Sequence, residues 1–194
     1  MHVSVPLQGF QPAGAQLVAA GKGVAWVHVP LPLHVGALMH ALGEASVHDV
    51  PAASGVVCTH VPVDVQLGIH LCYGDPGHKH IREPVDMGRM VQVYNRLAPK
   101  LQRPINWVHM PVPRNRDDDA YFEPLRDLRL NSGSELYLGL IHLTDGIDGA
   151  RRRANAAKRV VSDFGVATEC GFGRRPPETI PALLGLHQIV ARDV

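Results

Sequence analysis

Three short stretches of the chain gather side chains that bind soft metal ions or move protons: His70-Leu71-Cys72, Asn106-Trp107-Val108-His109-Met110 and Glu169-Cys170, with His142 lying between the last two. Imidazole nitrogen and cysteine thiolate are the ligands zinc prefers. In a His-x-Cys pair just past the end of a strand, the two side chains can converge once the chain turns away, and Cys170 can close the same site from another strand. The set expected from the residues alone is a zinc held by His70, Cys72 and Cys170, with the fourth position taken by His109 or by a substrate. Each residue also has a plainer reading. Cysteine packs well as a small hydrophobe, and a single histidine is commonly a core residue satisfied by backbone groups. With only 12 His and 3 Cys in the chain, their arrival at the same end of four apolar runs weighs toward the metal.

Other charged groups near those runs suit an anionic ligand. Gly171-Phe172-Gly173-Arg174-Arg175 leads into a helix start, where backbone N–H groups and the guanidiniums of Arg174 and Arg175 can hold an anion, although a glycine-rich connection with a solvated basic pair fits equally. Arg114 and Arg116, just beyond His109, are placed to reach an acidic group. Arg151-Arg152-Arg153 opens a helix, as a solvated face or an anion contact. Asp145 either orients an imidazole or makes a turn, and Asp117–Asp119 reads as helix capping. His78 and His80 read as surface or substrate-facing residues.

The elements that must position these groups follow from hydrophobic pattern. Apolar, β-rich runs occur at Val65–Leu71, Ile105–Met110, Leu136–His142 and Gly165–Thr168, each followed by a helical stretch. Those stretches are Asp86–Leu97, Asp117–Leu128 (with Pro124 inside it), Gly149–Phe164 and Pro177–Ala191, the last with a stripe of Ile180, Leu183, Leu184, His187 and Val190. Strand and helix alternate four times, the pattern of a parallel α/β sheet. Such sheets bind ligands at the carboxyl ends of their strands, whether closed into an eight-stranded barrel or open with a switch point. The histidines and cysteines stand at those ends.

Residues 1–63 differ from the rest. They hold three charged side chains (Lys22, Glu44 and Asp49) and six of the twelve histidines, with prolines throughout. The segment reads as irregular, with a strand at Gly23–Val29 and a short helix at Leu33–Gly43 as its only elements. His28, His34 and His40 recur at a spacing that suits neither a helix face nor a tight metal loop. The formal charge of +1 over 194 residues removes the electrostatic case for nucleic acid or a membrane surface. Three widely spaced cysteines, no leader of the charged-then-apolar kind and no lipid-spanning apolar run predict a soluble, reducing, cytoplasmic setting.

Gly68-Ile69-His70-Leu71-Cys72-Tyr73-Gly74-Asp75, Gly139-Leu140-Ile141-His142 and Glu169-Cys170-Gly171-Phe172-Gly173-Arg174-Arg175 with Glu178-Thr179 together resemble the catalytic region of the cobalamin-independent methionine synthase family. The resemblance covers roughly residues 64–192. It implies a (β/α)8 barrel with a Zn²⁺ held by a His-x-Cys pair, a Glu on the next strand and a later Cys, so that His70, Cys72 and Cys170 are three of the ligands. His142 corresponds to the family's proton-handling histidine. The chain departs from the pattern where the family's ligand Glu falls, since His109 stands there, and residues 1–63 carry no recognisable folate- or amino-acid-binding equivalents.

By resemblance, then, residues 64–194 supply four βα units, half of a (β/α)8 barrel, and transfer a methyl group from a small-molecule donor to a zinc-activated thiol. A barrel with half its units leaves edges and apolar faces that a partner, such as a second copy, would cover. The alternatives are a barrel fragment without catalysis, or a superfamily decarboxylase or lyase using the strand-end arginines on an acidic substrate.

Overall fold

In the computed structural model the described residues are the backbone of 3–4, 16–19 and 24–30, and then residues 61–62, 64–73, 83–172 and 175–193. One seven-stranded sheet organises them. Its strands are β1 (Val3–Ser4), β2 (Gln16–Ala19), β3 (Val24–Pro30), β4 (Gln66–Cys72), β5 (Trp107–Pro111), β6 (Glu135–Ile141) and β7 (Gly165–Thr168). The first two pair antiparallel with each other and with β3, and from β3 to β7 every pairing is parallel. The strand expected at Gly23–Val29 is therefore present as β3, one residue along, and its register sets His28 opposite His70. The helix expected at Leu33–Gly43 lies outside the described residues, as do His78 and His80.

The strands stand in sequence order across the sheet, so each crossover steps to the next strand in the same direction. Right-handed crossovers that all step one way place their helices on one face. The reversal of order that makes the switch point of a doubly wound sheet is absent among the described strands. The helices are α1 (Gly88–Leu97), α2 (Asp119–Phe122), α3 (Gly146–Lys158) and α4 (Ile180–Asp193). The core lies between them and the sheet: Leu67, Ile69 and Leu71 of β4, Val108 and Met110 of β5 and Leu136, Leu138 and Leu140 of β6 meet Met90, Val91, Tyr94 and Leu97 of α1 and Ala154 and Ala157 of α3. Successive strand residues point to opposite faces, so this packing commits the alternate positions, His70, Trp107, His109 and Tyr137, to the other face.

Local chemistry explains the boundaries. Asp86 accepts a hydrogen bond from the Gly88 N–H at 2.8 Å, and α1 begins there. Asp118 caps α2 by accepting from the Tyr121 N–H at 3.0 Å, as the acidic run predicts. The single helix expected over Asp117–Leu128 is broken: four α-helical residues give way to a 3₁₀ segment, Glu123–Asp127, at the residue before Pro124. The third helix ends at Lys158 rather than Phe164, with Val160, Val161 and Phe164 packed on the core from a turn. On α4, Leu183 and Val190 are buried but Leu184 is 52% exposed, so the apolar stripe is only partly covered.

Two glycines are required by close approach. A Cβ on Gly68 would lie 2.0 Å from the Trp107 indole, which lies over the β4 backbone. At Gly139 a Cβ would meet the Glu169 Cα at 2.9 Å and the Pro111 Cα at 3.0 Å, so its absence lets β5, β6 and the residues after β7 converge beneath the strand ends.

Candidate metal centre

The carboxyl ends of four adjacent parallel strands carry the functional side chains. His70 and Cys72 close β4, His109 lies in β5, His142 follows β6 directly, and Glu169 and Cys170 follow β7. His70, His109 and His142 are buried, Cys72 is buried and Cys170 half-buried. One ligand atom from each of His70, Cys72 and Cys170 can be chosen so that all lie within 4.8 Å of one another. In tetrahedral zinc, sulfur and nitrogen ligands stand about 3.5–3.8 Å apart, from bond lengths of about 2.3 and 2.0 Å. The three groups need to close by about 1.3 Å at most, within side-chain reach, and the soft donor set suits zinc over magnesium or calcium. The residues present fit the ion.

His109 stands beside this group, not within it. Register pairs it with His70 across β4 and β5. The two rings meet edge to edge, centroids 4.7 Å apart and planes 18° from parallel, with their Nδ1 atoms 2.5 Å apart. Its Nε2 lies 3.0 Å from the Thr168 carbonyl oxygen, which can only accept, so the hydrogen on that ring sits at Nε2. Burial, followed by the neighbouring His70, pushes His109 down to about 3 from the ordinary 6.5. It is a neutral ring at physiological pH.

His142 has a different setting. Its Nε2–H donates to the Val112 carbonyl at 2.8 Å. Its Nδ1 faces the Glu169 carboxylate at 3.4 Å. Burial lowers its pKa, and Glu169 opposes that shift by favouring the protonated ring. A proton arriving at Nδ1 is thus held between an imidazole and a carboxylate, a suitable arrangement for a group that accepts and returns one proton.

Below the strand ends the sheet's open face forms a cavity of about 500 Å³, whose lining includes Trp107, Tyr137, Glu135, His70, His109 and Cys170. The aromatic pair meets edge to face, and the Tyr137 hydroxyl donates to Glu135 at 2.7 Å.

The arginines divide. Arg114 donates to the Thr144 hydroxyl at 3.2 Å on an exposed edge. Arg116 is occupied by Asp118, by the Val85 carbonyl and by the Tyr121 ring, 4.7 Å away. The Arg175 N–H bonds the Phe172 carbonyl at 2.9 Å, and Arg174 lies outside the described residues. Among Arg151–Arg153, read from the sequence as a solvated face or an anion contact, Arg153 is fully buried. It makes a forked pair with Asp145 (2.6 and 2.9 Å) and donates to the carbonyls of Leu140 and Arg114. Asp145 therefore serves as the partner of an arginine and precedes α3, three residues past His142. Only the helical period of α3, which puts position 153 with Ala150, Ala154 and Ala157 on its inner side, could have revealed it.

The class these observations define is an α/β protein with sequentially ordered parallel strands and a soft-ligand cluster at their carboxyl ends. No protein-family model and no curated protein matches the chain. Among solved structures it is similar to a protein from Listeria monocytogenes described as a candidate vitamin-B12-independent methionine synthase, with a TM-score of 0.50 and 17% sequence identity. The likeness covers 86% of this chain and 47% of that one, so the chain spans about half the length of that structure. At that identity the shared property is the fold.

Proposed function

We propose that this protein binds one zinc ion through His70, Cys72 and Cys170 and uses it to activate a thiol for methyl transfer, as a divergent methionine-synthase-like protein. On this reading the parallel strands are consecutive strands of a (β/α)8-type barrel. The observation that carries the proposal is the meeting of His70 and Cys72, from one strand end, with Cys170, from beyond another, within 4.8 Å.

When bound, the ion would lower the pKa of a ligating thiol so that thiolate, the competent nucleophile, is present at neutral pH. The chain's own residues do the rest. His70, Cys72 and Cys170 fix where the thiol sulfur sits, and the close backbone approach at Gly139 holds the segment leading to Cys170 against β6 and the end of β5. His142, backed by Glu169 at 3.4 Å, supplies or takes the proton at Nδ1 that a departing methyl donor needs. Arg114, on the exposed rim, is available to an acidic group of either substrate.

Metal analysis of the chain purified without chelator tests the reading. One zinc per chain is expected, and Cys72→Ser or Cys170→Ser should empty the site. A metal-free wild-type protein that also refuses added zinc sinks it. Zinc without any thiol binding would make the site structural.

A further inference from the structure

Where the sequence suggests His109 as the fourth metal ligand, its hydrogen bonds give it a different task. We propose that His109 is a positioning residue that locks the His70 ring in the tautomer carrying its hydrogen at Nδ1, so that Nε2 presents its lone pair for the metal; this rests on the zinc reading above.

The hydrogens on the two rings follow one from the other. The Thr168 carbonyl is an acceptor only, so the His109 nitrogen 3.0 Å from it must be the one that bears hydrogen. In a neutral imidazole the other nitrogen, Nδ1, is then an acceptor. That Nδ1 stands 2.5 Å from Nδ1 of His70. Two bare nitrogens at this distance would repel, so His70 supplies the hydrogen at its Nδ1. Its lone pair is thereby left at Nε2. Metal-ligating histidines characteristically donate their second ring nitrogen to a fixed acceptor, which sets both tautomer and orientation.

That acceptor is usually a carboxylate or a carbonyl. Here a second imidazole relays the role, anchored on the backbone that leads from β7 to Cys170. The 2.5 Å between the two Nδ1 atoms is a hydrogen-bonding separation, shorter than the about 3.3 Å between two nitrogens on one tetrahedral zinc at bond lengths of about 2.0 Å. Planes only 18° apart, with centroids 4.7 Å and Nδ1 atoms 2.5 Å apart, set the two rings edge to edge with the nitrogens in line for an N–H···N hydrogen bond. Because Thr168 is two residues before Cys170, the relay ties the orientation of the ligand on β4 to the strand that delivers the ligand at Cys170.

Two measurements test this, one of them without metal. Long-range proton–nitrogen-15 spectra of the metal-free protein report which ring nitrogen of each histidine bears hydrogen. His70 should be the Nδ1–H and His109 the Nε2–H tautomer, and His109→Leu should return His70 to a mixture. The reverse assignment in wild type overturns the proposal whatever the metal does.

The second measurement is zinc affinity by competition with a chelator. His109→Leu should weaken binding about 10–100-fold, the usual loss when the partner of a ligating histidine is removed. His109→Asn, which keeps a short acceptor near the position of Nδ1, should recover most of it. X-ray absorption of the zinc-loaded wild type should show two sulfurs and one imidazole. Two imidazoles would make His109 a ligand; that result, or an Asn variant as weak as Leu, would refute the positioning role while sparing the zinc reading. No zinc binding at all would remove both.

Discussion

Replacing Arg153 by Leu should be among the most damaging changes available outside the metal group. The guanidinium is fully buried and makes four hydrogen bonds, two to the Asp145 carboxylate and one each to the carbonyls of Leu140 and Arg114. Removing one member of a buried pair costs about 3–5 kcal/mol because the remaining charge is left uncompensated. Asp145 keeps 20% of its side chain exposed and has Arg152 at 3.9 Å, so water and a second cation moderate that penalty. The two carbonyls that lose a donor add about 1 kcal/mol each where no water replaces it. A loss of about 3–4 kcal/mol follows, equivalent to a melting temperature lower by roughly 6–16 °C in a chain of this size. Urea unfolding of wild type and variant would measure it, with the slope unchanged and only the midpoint moving. Arg153→Lys should recover little, since one ammonium cannot span a forked carboxylate and two carbonyls. A loss below about 1 kcal/mol for Arg153→Leu would show that the buried fork contributes no more than an exposed pair and would refute the accounting.

In the metal-free protein, stability should fall as pH drops below about 6.5, the unfolded value for histidine. His109, pushed down to about 3, and His142, also lowered, stay neutral in the fold while the unfolded chain takes up protons, so the stability present above 6.5 is lost toward the folded values; urea midpoints flat between pH 7.5 and 5 would contradict it. A further loss should set in below about pH 4 as Asp145, whose carboxyl the Arg153 pair holds down against its burial, becomes protonated, and Arg153→Leu should abolish that step. Gly68→Ala should destabilise by about 1–3 kcal/mol through overpacking, because the new methyl falls within the Trp107 ring, and Trp107 fluorescence should shift. A small thiol such as homocysteine should bind the zinc-loaded protein with release of about one proton near neutral pH, countable by calorimetry in buffers of different ionisation enthalpy; proton-free binding would place the thiol elsewhere.

The sequence by itself determined the alternation of strand and helix from residue 64 onward, and the strand ends to within two residues. It also determined which side chains stand at those ends, because hydrophobic period and residue type are local properties. His70, Cys72 and Cys170 could be assembled on paper since parallel strands deliver their carboxyl ends to one side.

What only the tertiary structure decided are the relations across strands and between layers. Pairing β4 with β5 in the register His70 to His109 makes the second histidine a neighbour of the first and leaves it outside the cysteine group. The approach of Thr168 then fixes where its hydrogen sits. The break of the second helix at Pro124 and the inward turn of Arg153 likewise depend on neighbours far along the chain. The helical period sets Arg153 on the side of Ala150, Ala154 and Ala157, but only docking of the helix on the sheet brings that guanidinium to Asp145 and the strand-end carbonyls in place of water.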